Sequence, residues 1–156
     1  WMLEKTEGKK SKELRTFKQY LQVLIESLDL KAMLRGKASG AGVEEIRRFL
    51  MRFEVEREYE ESEGVKVFLE MLRETRYSYL IEDVREELDL IEMEKKVDEA
   101  VFKKGKEISI IETFGLGPLI GFLVMKEAEI RNIRLIAKLK EEGFSPEKMK
   151  ELLVCL

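Results

Sequence analysis

Three short stretches hold residue types on which chemistry could be built. Gly36-Lys37 has the ending of a phosphate-binding loop, and Gly115-Leu116-Gly117-Pro118-Leu119-Ile120-Gly121 approaches a dinucleotide fingerprint. Glu58, Glu60, Glu61 and Glu63 crowd four carboxylates into one short run. None of the three meets its own requirements. A Walker loop needs Gly where Lys31 stands and a Mg²⁺-binding Ser or Thr where Ala38 stands. The second glycine run is one residue too long, follows no convincing strand, and Pro118 removes a backbone donor that an anion site would use. The glutamates read as a solvated acidic face. With no histidine in the chain, zincin motifs, Glu-x-x-His metal sites and His-based triads are excluded. The single cysteine, Cys155, is penultimate and has no possible His partner.

Composition narrows the class further. The 156 residues are 44% hydrophobic and 39% charged, enough for one ordinary domain with a core. Lys and Arg number 29 against 32 Asp and Glu, for a net charge of −3. That balance, with Asn132, Gln19 and Gln22 as the only amides, disfavours a nucleic-acid reader, which needs a basic face and amide side chains aimed at bases. Abundant Glu, Lys and Arg beside few amides and thiols is the composition expected of a thermophile. One Cys permits no internal disulfide and fits a reducing compartment. No apolar run reaches the length of a membrane span, and Trp1-Met2-Leu3-Glu4-Lys5 lacks an apolar signal region.

The elements that position these residues are helices. Leu14, Phe17, Leu21, Leu24 and Leu28 predict an amphipathic helix over roughly Ser11 to Gly36, with a glycine loop to Gly42. Residues 43–50 read as a short helix, and 54–64 as an acidic linker or helix surface. Val65, Phe68, Leu69 and Leu72 predict a helix ending near Thr75-Arg76-Tyr77, and 78–87 also reads as helical. Ile91, Val97 and Val101 predict a helix to about Lys106, followed by a connection over 109–117. Gly117-Pro118 opens the longest helix, to Lys140, because proline is tolerated at the first helical position. Gly143 closes it, and Ser145-Pro146-Glu147 caps a last short helix. The expected fold class is all-α.

Two segments resemble each other. Leu24-Ile25-Glu26-Ser27-Leu28-Asp29-Leu30-Lys31 lies 100 positions before Val124-Met125-Lys126-Glu127-Ala128-Glu129-Ile130-Arg131, and after a slip of three residues 43–50 parallel 146–153. The pattern predicts two related units, roughly 11–55 and 109–156, joined by helices over 65–106. Each would be a long helix, a Gly-containing turn and a short helix. In the second long helix, Leu119, Leu123, Ile130, Ile133 and Ala137 supply a packing face, and Gly121 admits a close neighbour. Arg131, Arg134 and Lys138 form a basic stripe near the C-terminal end, where the helix dipole favours cations.

Gly117 to Gly121, Lys126 to Asn132 and Ser145-Pro146-Glu147 together resemble the C-terminal signature of the C subunit of the archaeal A-type ATP synthases, relatives of the d subunit of vacuolar-type ATPases. Thr75-Arg76-Tyr77, Glu92 to Asp98 and Leu28-Asp29-Leu30-Lys31 fit the same likeness, although Ala32 stands where Asn is common. The resemblance implies repeated helical units that form part of a funnel-like domain. It also implies a non-catalytic central-stalk rotor subunit that needs no cofactor. Such a part sits on the membrane proteolipid c ring at the cytoplasmic face and receives the central shaft of the D and F subunits. Members of that family have three such units, and the resemblance implies that this chain would carry roughly the last two and begin within the tail of an earlier one. The charged positions of the matched helices, Asp29, Lys31, Glu129, Arg131, Arg134 and Lys138, are the candidate partner-interface residues. A generic helical adaptor unrelated to ATPases is the competing reading.

Overall fold

Apolar residues at helical spacing, with little glycine or proline to interrupt them, make helices the regular structure of this chain. The computed structural model describes residues 12–52, 54–111 and 115–153. Within them α1 spans Lys12–Ser39, α2 Val43–Ile46, α3 Glu56–Glu61, α4 Gly64–Leu72, α5 Leu90–Ile111, α6 Gly117–Glu141 and α7 Pro146–Leu152. Short 3-10 turns cover Arg47–Phe49 and Ser78–Leu80, and no strand occurs among the described residues. The fold is all-α.

Contacts divide the chain into two units, residues 22–101 and a second made by the described parts of 1–21 and 102–156. In the first, one face of α1 (Val23, Leu30, Met33, Leu34) packs into a core with Phe68, Leu69 and Leu72 of α4, and with Val97 of α5. Tyr77, Leu80, Ile81 and Val84 close that core from a run of turns. In the second unit α5 and α6 approach closely. A Cβ on Gly105 would lie 2.5 Å from Cγ2 of Val124, and one on Gly121 would collide with Oγ of Ser109. The missing side chains are what permit this contact.

Helices α1 and α6 stop in the same way. Gly40 and Gly143 adopt φ of +75° and +79°, a region that glycine enters without steric cost. The Gly40 N–H donates to the Lys37 carbonyl, and the Ala41 N–H to Gly36, at 3.2 and 2.8 Å. At the other helix Gly143 donates to Lys140 and Phe144 to Leu139, at 3.2 and 3.0 Å. These paired bonds are a Schellman cap in both places. The caps are 103 positions apart whereas the matched helical residues are 100 apart, so the slip of three is extra helix in α6.

Three expectations change, and the choice between linker and helix after residue 54 falls to helix. α1 runs on through Gly36 to Ser39, because Gly36 is a helical residue that makes room for another side chain rather than the start of a loop. The acidic stretch after residue 54 contains α3, which is held by Tyr59, only 1% exposed. Residues 81–87 are turns rather than helix: their buried apolar side chains fill the core from irregular backbone. α5 extends to Ile111, five residues beyond its expected end at Lys106.

Candidate interaction surface

Three charged residues of the first unit, Glu26, Asp29 and Asp98, are buried. Asp29 is 1% exposed, and its two carboxylate oxygens accept the backbone N–H groups of Met51 and Arg52 at 2.8 and 2.9 Å. Burial pushes its pKa up, while those two bonds and the nearby Arg52 pull it back. Asp29 therefore ties the segment after α2 to the middle of α1. Two residues on, the Lys31 ammonium meets Asp98 on α5 at 2.7 Å, with both side chains 11% exposed. One turn further, Arg35 grips Glu94 with two bonds of 2.5 and 2.6 Å, a bidentate fork. Asp29 and Lys31 thus spend their charges on internal contacts.

Two clusters escaped the reading of the sequence. Glu26, 3% exposed, accepts from Gln22 at 2.9 Å, from the Tyr79 hydroxyl at 2.6 Å and from Arg76, which also holds Glu54. Tyr79 and Arg76 lie some 50 residues away, and charged residues that far apart carry no pairing signal in sequence. The second cluster surrounds Tyr59. Its hydroxyl donates to the Ala41 carbonyl at 2.9 Å, and its ring meets Phe68 edge-on at 5.4 Å. The Lys37 ammonium lies 4.3 Å from the Tyr59 ring centre and donates to the Ser62 carbonyl at 2.7 Å. A Cβ on Gly36 would sit 2.6 Å from the Tyr59 oxygen. The Gly36-Lys37 pair that superficially matched a phosphate loop is thus the seat of a buried tyrosine.

On α6 the arrangement differs. Gly117, Ile120, Gly121, Val124, Ala128 and Leu139 are buried. The apolar face expected to pack, Leu119, Leu123, Ile130 and Ile133, is 47–66% exposed, because the glycine contacts with α5 select the other side of the helix. Glu129 pairs with Lys126 at 2.7 Å on the surface. Arg131 is half-buried, and Lys138 stands 4.0 Å from Glu142 with 72% of its side chain exposed. Arg134 is exposed and makes no ion pair among the described residues. Of the six candidate positions, Glu129, Arg134 and Lys138 present charge to solvent. The Gly115–Gly117 run leads directly into α6, with Gly115 at φ +81° and Gly117 buried. Cys155 lies outside the described residues.

Among the described residues, no cluster of three or more Cys, Asp or Glu is placed to hold a metal ion. No described helix is long and apolar enough to cross a membrane. The depression lined by Arg73, Ser78, Tyr79 and Glu82 has polar groups committed inward, Arg73 to the Val84 carbonyl at 3.1 Å and Tyr79 to Glu26. These features define an all-helical protein whose buried charges hold helices in register and whose α6 leaves apolar and charged side chains exposed.

The family follows from comparison with known proteins. The family model for the ATP synthase (C/AC39) subunit matches residues 2–152, and the chain belongs to that family. It is 32% identical to the C subunit of the A-type ATP synthase of Methanocaldococcus jannaschii, over 99% of this chain and 41% of that one. The corresponding A-type C subunits of Thermococcus onnurineus and Pyrococcus horikoshii are 29% and 28% identical, over 93% and 97% of this chain. The chain spans about two fifths of the length of the curated relatives it matches, 41–43% for these three. No solved structure matches it.

Proposed function

We propose that the chain works as a non-catalytic rotor element of an A/V-type ATP synthase, coupling the membrane proteolipid c ring to the central shaft of the D and F subunits. The single observation that carries this reading is the match to the ATP synthase (C/AC39) subunit family across residues 2–152. The physical character of the chain supports it. A part that transmits torque needs stiff elements, and α1, α5 and α6 run 28, 22 and 25 residues, with the largely buried Lys31–Asp98 ion pair and the Arg35–Glu94 fork pinning α1 to α5. In this reading the protein sits at the cytoplasmic face of the membrane and is held there by its partners. Solvent-facing Arg134 and Lys138, with Glu129, belong to the docking surface, whereas Asp29 and Lys31 keep the scaffold rigid. Pull-down with the detergent-solubilised c ring and with the D–F shaft is the test. Retention on both is expected; binding to neither sinks the rotor reading and favours a helical adaptor outside the ATPase.

A further inference from the structure

We draw no further inference here: the strongest candidate, the exposed apolar face of α6 that carries Leu119, Leu123, Ile130 and Ile133, carries nothing because Lys126 is already paired with Glu129 at 2.7 Å, exposed Glu127 and Glu129 flank the same stripe, and nothing in the structure shows what covers it.

Discussion

Replacing Asp29 by alanine removes the acceptor for two backbone N–H groups, those of Met51 and Arg52 at 2.8 and 2.9 Å. A hydrogen bond to a charged acceptor contributes about 1.5–3 kcal/mol. Against the sum stands the desolvation of a carboxylate that is 1% exposed, visible as its raised pKa. The expected loss for Asp29→Ala is about 2–4 kcal/mol, and for Asp29→Asn, which keeps one carbonyl acceptor, about half of that. The pH dependence separates charge from geometry. A carboxyl whose folded pKa lies above the unfolded value of 3.8 keeps its proton longer in the folded state. Stability is therefore lost as pH rises from that value through the folded pKa. The asparagine variant has no such group, so its deficit against the parent narrows as pH rises across this window. Urea unfolding followed by circular dichroism gives the free energies, and hydrogen exchange gives protection at Met51 and Arg52. A change under about 0.5 kcal/mol for Asp29→Ala with both amides equally protected would refute the clamp.

Other expectations follow from the same packing. Gly105→Ala places a Cβ 2.5 Å from Val124, so overpacking of about 1–3 kcal/mol outweighs the helix propensity gain of about 1 kcal/mol. Val124→Ala relieves the crowding, and a double-mutant cycle with Gly105→Ala measures a coupling of at least about 0.5 kcal/mol. Tyr59→Phe costs about 1 kcal/mol through its lost bond to Ala41, read as a shift in the urea midpoint. Burial pushes the phenols of Tyr20, Tyr77 and Tyr79 up to about 12 from 10.0. Their protons are held longer in the folded state, so stability falls as pH rises from 10 to about 12, which an absorbance titration with parallel unfolding curves checks.

The helices were legible in the sequence wherever apolar residues recurred along one face. α1, α4, α5 and α6 all carry that recurrence, and glycine marks the ends of α1 and α6 by its positive φ. Residues 78–87 misled because Leu80, Ile81 and Val84 have helical spacing, yet a chain of turns buries the same positions. α3 was obscured by its glutamates, since one tyrosine anchors it. The choice of face on α6 was beyond periodicity. The helix has apolar residues on both sides, and the close approach of α5 and α6 that Gly105 and Gly121 permit decides which is buried. Among the candidate site residues, the signature singled out positions on α1 and α6. The roles of Asp29 and Lys31 depended on partners at positions 51, 52 and 98, which spacing does not reveal. Arg134 and Lys138 were readable as surface cations because, among the described residues, Glu142 alone comes within ion-pair reach of either.

A chain that turns with the rotor must carry a label round with it. A cysteine introduced at exposed Lys66, with Cys155→Ser to leave a single thiol, attaches a bead to the assembled complex while the catalytic head is fixed to glass. On addition of ATP the bead is expected to rotate in one direction, in step with the shaft. A bead that stays stationary while the shaft turns would put the chain in the stator and end the rotor reading.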